Sequence, residues 1–300
     1  MEKTLSSNEN KSWYDKYYKL LFIIPILLTF LSFFYLINFY QKYNDIMLRD
    51  TSLSGGTTIT LKAQKEIDYK FLESSLKKEF SNLNIKKLTD LRTGETTAYI
   101  IESSEEQQKL KSGVEKILGY NLTEKNSNIE FTGSSLSKSF YKQLVIALVI
   151  AFILISVVVF FLFKTIIPSI AVILSIFLDV LMPLALVDYI GLRVSAAGIA
   201  AFLMLIGYSV DTDILLTSRV LKKKEGSVNE RIFGAFKTGI FMTTTALLAV
   251  IPVFFFMSNL PDSFRQIFLI LFLGLSADIV NTWLTNASLI KWYCEKKKIE

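Results

Sequence analysis

Asp179, Asp211, Asp213 and Asp278 lie in stretches that are otherwise apolar enough to cross a lipid bilayer. A carboxylate at that depth is expensive, so it is kept to carry protons or ions, or to tie helices together by hydrogen bonds. Two of the four fall in one dense segment, Gly207-Tyr208-Ser209-Val210-Asp211-Thr212-Asp213. On an ideal helix Asp211 and Asp213 point about 200° apart, so one faces a bundle interior and the other a second interface or a wet cavity. Ser209 and Thr217 share the stripe of Asp213 and favour it as the interior residue. Gly207, one turn before Asp211, would let another helix come close.

Lys237, in the next apolar stretch, stands at nearly the height of Asp213, about 10 Å from mid-span. The expectation is a Lys237 pair with Asp213 or Asp211 that a proton releases; snorkelling of the amine to lipid headgroups is an equal alternative. Asp179 and Asp278 sit near the middles of their stretches and read as helix cement, with Thr282 one turn beyond Asp278 as its partner. A subunit interface is an equal reading for Asp179. The chain contains no histidine, which removes imidazole relays and histidine metal ligands. Its one cysteine, Cys294, allows no intrachain disulfide. No nucleophile and base pair, metal cluster or phosphate loop stands out, so neither an enzyme role nor a metal or cofactor is expected.

These residues need membrane helices to position them. The 300 residues are 51% apolar and carry their charges in blocks, as expected of a polytopic α-helical membrane protein. Runs of about 20 apolar residues place transmembrane helices at roughly 20–40, 141–163, 166–187, 195–217, 232–257 and 265–290. The first run is long and lacks a small-residue cleavage site, so it reads as a retained anchor. The net charge of +6 is not a nucleic-acid signature, because the basic residues flank the spans. Lys3, Lys11, Lys16, Lys19, Lys164, Arg219, Lys222, Lys223, Lys224, Arg231, Lys291, Lys296, Lys297 and Lys298 make 14 on one side, against Arg193 and Arg265 opposite. Both termini, 1–19 and 291–300, are therefore expected in the cytoplasm, with 41–140 outside and 141–290 as a five-helix membrane region. The loop 219–231 could also hold anionic membrane lipids, although topology determination explains its lysines more simply.

Between the first two spans the periodicity changes to short mixed segments. Strands are expected at Thr57–Ala63, Leu83–Leu91, Thr96–Glu102 and Ile129–Phe131. One helix places Phe71, Leu72, Leu76 and Phe80 on a common face, and another, running to about Leu118, starts from a Ser103–Glu106 capping box. The order β-α-β-β-α-β is the ferredoxin-like pattern, giving an α+β extracytoplasmic domain. Gly55–Gly56, just before the first strand, reads as a tight turn more readily than as a hinge.

Asp50-Thr51-Ser52-Leu53-Ser54-Gly55-Gly56-Thr57 and Gly207-Tyr208-Ser209-Val210-Asp211-Thr212-Asp213 resemble the paired signatures of the SecF family of protein-export subunits. Lys237-Thr238-Gly239, Thr243-Thr244-Thr245, Ala277-Asp278-Ile279, Thr282-Trp283 and Asn286-Ala287 extend the resemblance over about 20–292. Thr212 stands where bacterial members carry an acidic residue, and Lys237 where they carry arginine; the Asp-Thr-Asp order resembles the archaeal branch. The resemblance implies a six-span accessory subunit that pairs with a SecD-like subunit at the Sec translocation channel. Such a subunit promotes export of polypeptide by the proton-motive force. It also implies similarity to half of a resistance-nodulation-division pump, so a proton-driven exporter of small molecules or lipids is the alternative. A structural assembly factor is a third reading.

Overall fold

The computed structural model describes residues 13–63, 68–80, 83–89, 93–223, 225–256 and 262–299. Lys3, Lys11 and Lys224, counted above for topology, and the end of the strand expected to reach Leu91 lie outside these residues.

The chain opens with α1 (Trp13–Leu21) and α2 (Ile23–Tyr43), followed by a short helix α3 (Thr51–Ser54). The α+β domain then runs β1 (Gly56–Lys62), α4 (Tyr69–Glu79), β2 (Leu83–Thr89), β3 (Thr96–Ser103), α5 (Gln107–Leu118) and β4 (Ser127–Thr132). Its antiparallel sheet has the order β2-β3-β1-β4, the ferredoxin-like topology. Alternation in β1 and β3 turns Ile59, Leu61, Tyr99 and Ile101 toward the helices. There they pack with Leu72 and Leu76 of α4 and Leu110 and Val114 of α5. Asp68 starts α4 by accepting the N–H groups of Lys70 and Phe71 at 3.0 and 3.3 Å.

Two local expectations fail here. Phe71 is 59% exposed, because it lies about 100° off the stripe of Leu72, Leu76 and Phe80. The expected capping box is absent: Ser103 is spent on β3, and Glu106 is the N-cap of α5 without a side-chain cap bond.

Four helices follow, α6 (Ser134–Phe163), α7 (Ile166–Ile190), α8 (Ala196–Lys222) and α9 (Val228–Phe256). The last crossing is composite: α10 (Asp262–Val280), a π-helical turn at Asn281–Asn286, and α11 (Ala287–Lys297). Among the described residues, six helical segments are thus long and apolar enough to span a membrane. They overrun the expected limits at both ends of the chain. Residues 13–19 and 291–297, expected in tails, are helical and packed on each other, because aromatic and polar side chains lie among their charges.

The domain meets the bundle through a polar seam. Leu48 O accepts the Val194 N–H at 2.7 Å, and Val194 O accepts the Asp50 N–H at 3.1 Å. Asp50 caps α3 through the Ser52 and Leu53 N–H groups at 2.9 and 3.3 Å, while Ser52 Oγ accepts the Ala196 N–H at 3.1 Å. Beside them the buried Glu102 takes hydrogen bonds from Asn84 at 2.8 Å and Lys86 at 3.2 Å and an ion pair from Arg193 at 3.9 Å. Burial pushes the Asp50 carboxyl up to about 6; the Ser52 hydroxyl opposes the rise and the Glu102 charge adds to it. Gly55 and Gly56 have φ of +84° and +129°. A Cβ on Gly55 would strike the backbone of Ser134, and one on Gly56 the Ser103 carbonyl. The pair is a turn in which strand entry and strand exit touch.

Gly56→Ala is therefore expected to destabilise the α+β domain by about 1–3 kcal/mol in thermal unfolding, from strain and collision together. The folded-state pKa of Asp50 lies above its ordinary 3.8, so the folded seam binds the proton more tightly. The stabilising contribution is full below about 3.8, falls away as the pH rises from there through about 6, and is absent at higher pH. Hydrogen exchange at Ser52 and Leu53, corrected for intrinsic rates, should be slower at acid pH, and Asp50→Asn should flatten that dependence.

Candidate functional site

An amphipathic rule applied to α8 turns inside out: its inward stripe is polar. Ser209, Thr212, Asp213 and Thr217 recur at helical spacing and are all fully buried. Asp211, two residues from Asp213, is exposed on the outer face of the bundle. Beside it lies the exposed Gly207, where an added Cβ would meet nothing within 4 Å. Tyr208 is half-buried between the two faces.

Opposite α8 stand Asp179 of α7 and Asp278 of α10, both fully buried. Ser209 donates its hydroxyl to Asp179 Oδ2, and Asn281 donates its amide to Asp179 Oδ1 at 2.7 Å. Asp278 Oδ1 accepts the hydroxyls of Thr212 at 3.0 Å and Thr282 at 3.1 Å, and its Oδ2 accepts that of Thr243 of α9 at 3.2 Å. Asp213 Oδ1 accepts the Asn286 amide at 2.8 Å. The structure therefore brings Asp179, Asp213, Asp278, Thr282 and Ser209 into one pocket, and leaves Asp211 and Gly207 outside it.

Two backbone devices build this pocket. In an α-helix residues five apart diverge by about 140°, so Asn281 and Asn286 could not both face the carboxylates. The π turn, closed by the Ala287 N–H on Thr282 O, stacks residues five apart and points both amides inward. In α7, Pro183 lies four residues after Asp179 and has no N–H, which frees the Asp179 backbone carbonyl from the helix ladder. Close packing completes the enclosure: Trp283 lies on Gly239 of α9, where a Cβ would collide with the indole ring.

The donors do not saturate the acceptors. The side-chain oxygens of Asn281 and Asn286 are buried without a hydrogen-bond partner, and the buried Ser175 hydroxyl lies beside Asp213. Among the described residues no lysine or arginine forms an ion pair with any of the three acids. The expected Lys237 pair is not formed. Ala235, Gly239 and Thr243 hold the inward stripe of α9, which turns Lys237 about 200° away; its ammonium lies over the Phe233 ring at 4.8 Å. Arg219, the other cation at that level, bonds the Gly234 carbonyl and the Thr238 hydroxyl instead. Three acids, their hydroxyl and amide donors and the spare acceptors thus form one buried polar cluster inside the bundle.

Sequence reasoning missed Asn281 as a site residue and used Thr243 and Asn286 only as parts of motifs. The signal available was the spacing of Asp278, Asn281, Thr282 and Asn286 in an apolar run; the π turn that aligns them leaves no periodicity to read.

Residues 114–296 match the family model described as protein export membrane protein SecD/SecF, C-terminal. The chain is 36% identical over 283 residues to the protein-export membrane protein SecF of Methanocaldococcus jannaschii, covering 93% of this chain and 96% of that protein. It is 47% identical over 165 residues to SecF of Methanolacinia petrolearia, a match that spans 55% of this chain and 58% of the relative. Among solved structures it is similar to SecDF of Thermus thermophilus, a translocon-associated membrane protein. There the TM-score is 0.73 at 17% identity, over 96% of this chain and 39% of the other.

Asn286→Leu removes the donor to Asp213 and should lower stability in mild detergent by about 1–3 kcal/mol, read by thermal unfolding. Asp211→Asn, on the exposed face, should change it by less than about 0.5 kcal/mol.

Proposed function

The chain belongs to the SecD/SecF family of protein-export membrane proteins, as a multi-pass SecF, and from that premise we propose that it is the proton-coupled half of a heteromeric accessory unit of the Sec translocase. The observation that carries this reading is the buried trio of Asp179, Asp213 and Asp278, with hydroxyl and amide donors and, among the described residues, no cation paired to it. An isolated charge is costly at that depth, and a proton is the compensating charge the pocket can admit without a large ion. Each charge moved through the field is worth about 2.3 kcal/mol per 100 mV, enough to bias one helix group against another.

The partner in this proposal is a SecD-like subunit seated on the outer face of α8, where Gly207 and Asp211 lie uncovered. A glycine gives a second helix room, and an exposed intramembrane carboxylate calls for a donor from outside this chain. Asp211 thus acts at the subunit interface, and Asp213 with Asp179 and Asp278 holds the proton. The distribution of lysine and arginine supports termini in the cytoplasm and an external domain at 41–140, where it would meet exported polypeptide beside the channel. The cationic flank of the loop 219–231 faces anionic lipid in that arrangement.

Copurification in mild detergent should recover a SecD-like subunit, and Asp211→Asn should weaken its recovery. In a gradient-dependent export assay, Asp179→Asn, Asp213→Asn and Asp278→Asn should each bring export to its level without a gradient, while Lys237→Met retains the gradient effect. Full gradient dependence in all three asparagine variants would sink the proton reading.

A further inference from the structure

Lys291 is a lysine 2% exposed, near the end of the last membrane crossing. Its ammonium pairs with Asp15 of α1, donates to the side-chain oxygen of Asn229 at the start of α9, and lies 4.9 and 5.2 Å from the rings of Tyr14 and Tyr18. Asn229 returns its amide to the second Asp15 oxygen at 2.8 Å, closing a three-way knot. Two further bonds fasten α1 to α11: Tyr18 donates to Glu295 at 2.6 Å, and Ser288 donates to the Tyr18 carbonyl at 3.2 Å. Under the knot lies an apolar plug of Leu216, Val220, Ile232, Ala287, Ile290 and Cys294, against which Tyr14 packs. Along the last crossing Ala287 and Ile290 of the plug fall between Asn286, the donor to Asp213, and Lys291, while Cys294 falls about one turn beyond Lys291 on the terminal side.

A buried ion pair is a poor stabiliser, since desolvation offsets much of the attraction, whereas removing one partner leaves an uncompensated charge. Fastening two helix ends needs no such pair; apolar contacts would hold them as well. An ion pair inside an aromatic cage does differ from apolar contacts in one respect: once the helix lifts, both charges are rehydrated, so the open state is less unfavourable than for an apolar lock.

We propose that α1 is a clasp which closes the terminal side of the buried carboxylate pocket, and that Asp15 and Lys291 are the positioning residues that let it open and reclose. The inference rests on the proton reading above and assigns the step at which the pocket communicates with the side carrying both termini. With α1 seated, the plug and the knot bar water from Asn286 and Asp213. With α1 lifted, Tyr14 is withdrawn from the plug and the rehydrated Lys291 no longer holds α11 to Asn229 of α9, so the plug loosens and water reaches the Asn286 end of the pocket.

The chain carries its own reporter. Cys294, the single cysteine, is fully buried in the plug. Vesicles holding the complete complex, oriented with the termini outward, are treated with a membrane-impermeant maleimide at fixed outer pH, with and without an imposed proton gradient. Wild-type protein should label slowly and severalfold faster with the gradient. Asp15→Asn should label at least about tenfold faster than wild type in either condition. The double variant Asp15→Leu with Lys291→Met replaces the pair by apolar groups; it should remain folded by thermal unfolding, label slowly, ignore the gradient and lose gradient-dependent export. Gradient-independent labelling of wild type overturns the clasp, and so does full export by the double variant. If Asp213→Asn abolishes gradient-dependent export while wild-type labelling ignores the gradient, the clasp alone fails. If Asp179→Asn, Asp213→Asn and Asp278→Asn all leave gradient dependence intact, it is the proton reading that fails.

Discussion

Hydrocarbon offers no hydrogen bonds, so every polar atom that this chain carries to mid-membrane has to find its partner inside the protein. That demand explains the architecture around Asp179, Asp213 and Asp278 better than any packing preference does. Ser209 and Thr212 of α8 and Thr243 of α9 are small donors that serve the carboxyl oxygens, and Thr282 with the two asparagines serves them from the π turn of the last crossing. None of them brings a positive charge. The bundle is knit by neutral donors around acids, a bond pattern that survives either protonation state of an individual carboxyl with modest rearrangement.

The same demand distinguishes the membrane bundle from the α+β domain. The α+β domain satisfies its backbone in a sheet and its core in apolar contacts, and it joins the bundle at the polar seam. There the constraint is geometric: Gly55 and Gly56 let the chain enter the sheet while touching Ser134, where it leaves for the bundle. Entry and exit therefore share one point of attachment, with Asp50 and Glu102 as polar fastenings around it.

Much of this was legible in the amino-acid sequence, for reasons of periodicity. Twenty-residue apolar runs have one physical outcome in a bilayer, and the alternation of Thr57-Thr58-Ile59-Thr60-Leu61 has one outcome in a half-buried strand. The separation of Asp211 from Asp213 follows from the helical repeat alone, and the structure places them on opposite faces as that repeat requires. Legibility ends where the repeat does. Pairing Lys237 with an acid by depth ignored rotation about the α9 axis, which Gly239 and Thr243 fix by facing inward. Grouping Asp213 with Asp211 by proximity in sequence missed its companions Asp179 and Asp278, which come from helices whose relative placement no local pattern encodes. Lys291 read as a topology signal because lysines at span ends usually are; its burial depends on α1, whose amphipathic turn lies next to a much stronger apolar run.

The widened turn at Asn281–Asn286 has a consequence for the arithmetic of the last crossing. A π turn is an α-helix with one residue inserted, and everything beyond it is rotated by about 100° relative to uninterrupted α winding. Lys291, Cys294 and Glu295 therefore inherit their azimuth from that single extra residue. Were the turn to tighten to α, or its bulge to migrate along the helix, the amides would leave the carboxylates and the lysine would leave its tyrosines in one movement. Pocket and terminal helix are thus phase-locked, like two marks on one shaft, through a defect of one residue between them.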